Sequence, residues 1–259
     1  MGQVVAVNAV SKAFPFEDGA RKGDRFAVAD VSFSVGSGEV LCIVGKTGCG
    51  KSTLVNLLLG LEQPSSGEIL IDGMSPSGDF ARMRRSVAAV FQTDRLLPWR
   101  TVIENAALGL EAAGEPREAR HAAARPWLRQ VGLEAWENYY PHQLSGGMRQ
   151  RVSICRAFVL EPLVVILDEA FGHLDEVTAQ ELRKECLSLI SETHKAAIVV
   201  THNISEALDI GTRLLVLGRP AKVLKTYDLS TLRNEAGWDS RRVALRDEIF
   251  RVIDEHSGL

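Results

Sequence analysis

The stretch Gly45-Lys46-Thr47-Gly48-Cys49-Gly50-Lys51-Ser52 constrains this chain more than any other. It follows Val40-Leu41-Cys42-Ile43-Val44, a continuous apolar run suited to a strand buried on both faces, and it precedes Ser52 to Gly60, which has helical spacing. The glycines at 45, 48 and 50 let successive backbone N–H groups turn toward one point at a helix N-terminus, where the helix dipole favours an anion. In such a turn Lys51 can reach the β and γ phosphates of a nucleotide and Ser52 can place its hydroxyl on Mg²⁺.

Two further apolar runs have the same character. Leu163 to Leu167 ends in Asp168-Glu169, and Ala197 to Val200 ends in Thr201-His202, with helical stretches at 176–192 and 204–210. This alternation predicts an α/β fold with a mostly parallel sheet, whose polar residues gather at the C-terminal ends of the strands. Residues 3–10 and 26–35 carry alternating or β-branched apolar residues and predict an N-terminal β layer. Phe16 to Arg25, rich in glycine and charge, reads as a loop between them. The Ala-, Arg- and Glu-rich stretch 93–160 reads as a helical subdomain inserted into the core. Past Ser230, Leu245, Ile249, Val252 and Ile253 recur at the spacing of one short amphipathic helix.

Composition narrows the function classes. With 30 basic and 33 acidic residues the net charge is −3, so nothing global attracts nucleic acid or anionic lipid. No run of about 18 apolar residues occurs, and the N-terminus lacks a basic region followed by an apolar stretch, so membrane contact is expected to go through a partner. Cys42, Cys49, Cys155 and Cys186 are scattered without metal-ligand spacing, which fits a reducing, cytoplasmic setting.

Asp168 and Glu169 place two carboxylates at the end of an apolar strand, where charge is costly unless a cation or proton chemistry uses it. Asp168 suits a Mg²⁺ shell, while Glu169 can polarise a water attacking a γ-phosphate. In Leu144-Ser145-Gly146-Gly147-Met148-Arg149-Gln150, Ser145 is a good N-cap and the glycines admit close backbone approach, so a second anion can bind at the helix that follows. Because one phosphate loop is already present, this second site is expected to serve nucleotide held by another copy of the chain.

Together these stretches resemble the nucleotide-binding subunits of ABC transporters over about residues 3–220. Gly45 to Ser52, with Thr53 beside it, matches the Walker A loop; Gln92 in Val90-Phe91-Gln92 matches the Q-loop; Leu144 to Gln150 matches the signature motif. Leu163 to Glu169 matches Walker B, Gly172-His173-Leu174-Asp175 the D-loop, and His202 the switch histidine. The resemblance implies a P-loop NTPase core, with residues 1–229 as the nucleotide-binding domain and 230–259 as a tail. It implies ATP and Mg²⁺ as ligands: Gly45, Lys46, Thr47, Gly48, Cys49, Gly50, Lys51, Ser52 and Thr53 on the nucleotide in cis, and Ser145, Gly146 and Gly147 on it in trans. Ser52, Gln92 and Asp168 would hold the metal, and Glu169, His202 and Gln92 would carry the chemistry. Phe14 is the best match to the aromatic that stacks on adenine, ahead of Phe16 and Phe26.

The implied partners are integral-membrane permease subunits, a second ATPase subunit in a homodimer or pseudo-dimer, and a separate solute-binding protein, with the chain peripheral on the inner face of the cell membrane. Thr93 to Val102 and Glu169-Ala170-Phe171-Gly172 resemble the importers of nitrate, sulfonates and taurine. Ala170 stands where proline is usual, His173 where a small residue is usual, and Asn203 where aspartate is usual. The alternatives are a soluble ABC ATPase acting on nucleic acid or ribosomes, which usually carries two cassettes, a coiled coil or a basic surface, and a nucleotide-binding scaffold without turnover. His121, His142, His194 and His256 read as surface or loop residues, and Arg82, Arg84 and Arg85 as a solvated face.

Overall fold

A computed structural model describes residues 2–18, 21–78, 83–234 and 237–256. The chain divides into two compact units, 1–83 with 196–259 and 84–195.

In the first unit, β1 (Gln3–Asp18), β2 (Arg21–Gly36) and β4 (Ser66–Ile71) form an antiparallel sheet in the order β2-β1-β4. Val5, Val7, Val10, Val28, Val31, Val35, Ile69 and Ile71 are buried in it, and register shifts on either side of Val10 reset the alternation along β1. The expected loop at 16–25 is not one. The ladder continues from Ala13↔Phe26 through Phe16↔Gly23 to Asp18↔Arg21, because two strands already in register satisfy more backbone groups by extending than by fraying; 19–20 lie outside the described residues.

A second set of strands in this unit runs β7 (Ala196–Thr201), β3 (Val40–Gly45), β8 (Arg213–Leu217), β9 (Val223–Asp228), with β3 parallel to both neighbours and β9 antiparallel to β8. Every residue of β3 and β7 is buried, the consequence of continuous apolar runs. Helix α1 (Lys51–Leu58) leaves β3 through the glycine-rich turn. The tail is larger than the sequence pattern suggests: after a short helix at Leu229–Arg233 comes an 18-residue helix, Trp238–Glu255. It buries Leu245 and Ile249, leaves Val252 and Ile253 half-buried, and is tied by Glu248 to Tyr227 (2.8 Å) and Lys225 (2.6 Å).

In the second unit, β5 (Val87–Phe91) and β6 (Val164–Asp168) pair in parallel, with Phe91 opposite Asp168. Around them are short helices at Val102–Ala106 and Leu108–Ala112, and longer ones at Arg117–Gln130, Gly146–Phe158 and Glu176–Glu192. Val102, Ile103, Leu110, Leu128, Val152 and Val159 lie in their shared core, flanked by Trp127 against Phe158 at 5.6 Å between ring centres. No helix among the described residues is long and apolar enough to cross a membrane.

Candidate nucleotide-binding site

The glycine-rich turn in the first unit is built by steric exclusion. A Cβ at Gly45 would stand 2.9 Å from both the Leu217 carbonyl oxygen and the Cys49 sulfur. Gly50 caps α1 at φ 118°, where a Cβ would overlap the Ala27 carbonyl oxygen and come 2.9 Å from the Ala221 side chain. Only glycine fits there. Backbone hydrogen bonds from Ala221 to Ala27 and from Ala29 to Ala221 brace this wall. Lys51 is buried, and its ammonium donates to the carbonyl oxygens of Gly45 (2.7 Å) and Lys46 (3.0 Å), folding the side chain back over the turn. Thr47, Gly48 and Ser52 are exposed and Thr53 is half-buried, whereas Cys49 is buried against Gly45 and fills space. Lys46 pairs with Asp254 of the C-terminal helix at 2.8 Å, both exposed.

His202 is exposed just past β7, in a turn fixed from both sides. The buried Thr201 hydroxyl donates to Glu206 (2.6 Å) and accepts from the Asn203 backbone N–H (3.0 Å). Asn203 caps the helix Ile204–Ile210 by accepting from Glu206 N–H at 3.1 Å, so asparagine in place of aspartate keeps the cap. Phe14 and Phe16 alternate onto one face of β1, and the register that pairs Phe26 with Ala13 puts Phe26 on the other. Phe14 is 39% exposed, with the Lys12 ammonium 5.0 Å from its ring centre.

The second unit gathers the other half of the sequence-predicted residues. Gln92 follows β5 and Glu169 follows β6, one step beyond the Phe91–Asp168 pair. Glu169 adopts φ 50°, an uncommon conformation for a side-chain-bearing residue. Its carbonyl accepts from Gly172 N–H at 3.0 Å, closing a tight turn. A Cβ at Gly172 would lie 3.4 Å from both the Gln92 amide nitrogen and the Glu169 carbonyl, so Gln92 and this turn are neighbours. Asp175 in the D-loop caps Glu176–Glu192 through Thr178 N–H (3.0 Å), a bond that holds its carboxyl below the usual carboxylate range.

Ser145 caps Gly146–Phe158, accepting from Met148 N–H at 3.3 Å, and Ser145 and Gly146 are exposed at that helix N-terminus. Gly147 has an internal reason to lack a side chain: a Cβ would stand 2.8 Å from the Thr178 methyl. Further down this helix are side chains to which the motif assigns no contact. Arg149 pairs with Asp94 (2.9 Å), Arg156 donates to the carbonyls of Asp94 (2.6 Å) and Arg95 (2.7 Å), and buried Gln150 donates to those of Phe91 and Ala170. Asn105, fully buried, holds the loop Leu97–Thr101.

Arg84 and Arg85 are exposed, as a solvated face requires, whereas His121 is half-buried in the helix Arg117–Gln130. Arg84 donates to the Ala112 carbonyl (3.0 Å) and Arg85 pairs with Glu115 (2.7 Å), while Arg82 lies outside the described residues. All four cysteines are free and buried, and burial pushes the thiols of Cys42, Cys155 and Cys186 well up, away from reactivity.

With this geometry in place, comparison with known proteins decides the family. The ABC transporter family matches residues 28–172. This chain belongs to the ABC transporter family. A taurine import ATP-binding protein, TauB, of Burkholderia pseudomallei is 40% identical over 235 residues, covering 90% of this chain and 89% of the relative. TauB of Rhizobium johnstonii is 40% identical over 254 residues, covering 93% and 94%. Among solved structures, the dimeric ABC transporter cassette MJ0796 is similar with a TM-score of 0.75 and 31% identity, covering 87% of this chain and 98% of that one. The protein cbiO1 of Clostridium perfringens, part of the ABC transporter complex cbiONQ, has a TM-score of 0.78 at 25% identity, covering 98% and 100%. The chain is an ATP-binding, ATP-hydrolysing subunit closely related to the taurine, sulfonate and nitrate importer subfamily.

Proposed function

We propose that this subunit drives import of a small sulfonate-like solute such as taurine, docked on permease subunits at the inner face of the cell membrane and supplied by a separate solute-binding protein. Its relatives in Burkholderia pseudomallei and Rhizobium johnstonii are taurine import ATP-binding proteins, which supports the solute class. Residues 1–229 would form the cassette and 230–259 an accessory tail.

The observation that carries the ATPase reading is the Gly45–Ser52 turn, where bulk at Gly45 and Gly50 is excluded and Lys51 is held over the loop. In this reading the backbone N–H groups of 46–52 and the Lys51 ammonium hold the β and γ phosphates, with Phe14 under the adenine. Ser52, Gln92 and Asp168 are an all-oxygen donor set, suited to the hard Mg²⁺ ion, which when bound neutralises phosphate charge. Glu169 takes a proton from water as its oxygen bonds to the γ-phosphorus and the bond to the β,γ-bridging oxygen breaks; His202 and Lys51 stabilise the charge that develops. Ser145, Gly146 and Gly147 of a second subunit close the site, their helix N-terminus meeting the phosphates. The dimeric state of the solved cassette relative supports this arrangement.

The test is Glu169→Gln, sized by chromatography with and without MgATP. Binding without turnover and an ATP-dependent dimer are expected. A variant that keeps wild-type turnover, or stays monomeric with ATP bound, overturns the roles of Glu169 and the trans site.

A further inference from the structure

One buried group in the second unit has no place in the chemistry above and touches both of its key turns. Gln150 is 3% exposed, and its amide nitrogen donates to the carbonyls of Phe91 at 2.9 Å and Ala170 at 2.6 Å. Phe91 immediately precedes Gln92, and Ala170 immediately follows Glu169. Phe91 is the last residue of β5, paired with Asp168, and Ala170 lies two residues past the end of β6. The two N–H bonds of one amide therefore span the gap between the peptide carrying the sensor and the peptide carrying the base.

We propose that Gln150 is a positioning residue for hydrolysis, setting the spacing between Gln92 and Glu169 and tying both to the helix that Ser145 caps. Three features require such a tie. Glu169 is in a strained left-handed conformation that its surroundings must over-determine. The following residue is alanine, whose backbone φ is free where a ring would restrict it. Arg149 and Arg156, on either side of Gln150 along the same helix, hold Asp94 and Arg95, so the segment after Gln92 is fastened to this helix by three further hydrogen bonds. Movement of the Ser145 end then shifts sensor and base together, because the Gln150 amide that links them is buried and bonded to both. Gln150 touches no nucleotide in this scheme, so it acts on the rate of the chemical step and leaves ground-state binding alone.

This inference rests on the roles proposed for Gln92 and Glu169, and the experiment separates the two. Steady-state ATPase rates and labelled-ATP affinity are measured for wild type, Gln150→Met, Glu169→Gln and the double variant. Gln150→Met keeps the side chain's length and loses both donors. The expected result is a kcat lowered tenfold or more, with KM and nucleotide affinity within about threefold of wild type, and no further loss when combined with Glu169→Gln. Gln150→Glu serves if the methionine variant does not fold: its side chain donates only when protonated, so its kcat relative to wild type rises as pH falls from about 8 to 6. An unchanged kcat in Gln150→Met with an inactive Glu169→Gln overturns the positioning role alone, as does a pH-independent ratio in Gln150→Glu. Full activity in Glu169→Gln overturns the underlying reading instead.

Discussion

Asn105 lends itself to a quantitative test because its side chain is fully buried and every polar atom on it is used. Its carbonyl oxygen accepts from Leu97 N–H (2.7 Å), and its amide nitrogen donates to the carbonyls of Leu97 (3.1 Å), Arg100 (3.0 Å) and Thr101 (3.0 Å). The amide has only two hydrogens for three acceptors, so Asn105→Ala removes the equivalent of about three hydrogen bonds, each contributing about 1 kcal/mol net. Leu97, Arg100 and Thr101 are half-exposed, so water replaces part of this loss and the net destabilisation is about 2–3 kcal/mol. For a chain of this size that lowers Tm by about 5–10 °C. Asn105→Asp is expected to be worse at pH 8 despite its closer shape. It keeps the acceptor for Leu97 N–H but turns a second anionic oxygen toward three carbonyls. Differential scanning calorimetry of the three proteins decides the matter. A shift below about 2 °C for alanine, or an aspartate variant more stable than alanine, refutes the clamp.

Gly50→Ala combines a φ of 118° with overlap at Ala27, so the turn must distort, and loss of measurable ATP binding by equilibrium dialysis is expected even in protein that remains folded. Lys51→Ala should weaken ATP binding to an isolated chain, whereas Ser145→Ala should spare it while lowering turnover, if Ser145 acts as proposed on nucleotide held by the partner; equal loss of affinity in both contradicts a trans role. The loop Leu96-Leu97-Pro98-Trp99 divides its side chains, Leu96 packing on the helical core and Trp99 standing 71% exposed. Leu97→Ser should weaken co-purification with the permease and abolish transport with basal ATPase near normal, and normal transport in an intact complex refutes a coupling role for the loop.

How much of this was legible in the sequence depends on the range of the interaction. The phosphate turn, the buried strands and the cap at Ser145 are local: glycine's freedom, apolar continuity and a polar residue one turn ahead of its N–H partner all lie within a few residues. The described residues of 16–25 form strand where their glycine and charge suggest a loop, because cross-strand pairing that no local composition marks extends to Asp18 and Arg21. The length of the tail helix is not marked in the sequence, because only four apolar positions lie on its packed side and the ion pairs that hold the rest have no periodicity.

The sequence alone determined which chemistry this chain carries, because the phosphate turn, the strand-end carboxylates and the switch histidine are contiguous with the elements that display them. Tertiary structure decided what fixes those groups in place. Gln150 meets Phe91 across 59 residues and Ala170 across 20, and Gly50 is glycine because Ala27 and Ala221 leave it no room. Such roles depend on which backbone carbonyl ends up opposite a side chain, and every residue type carries that same carbonyl, so no local pattern marks the partner.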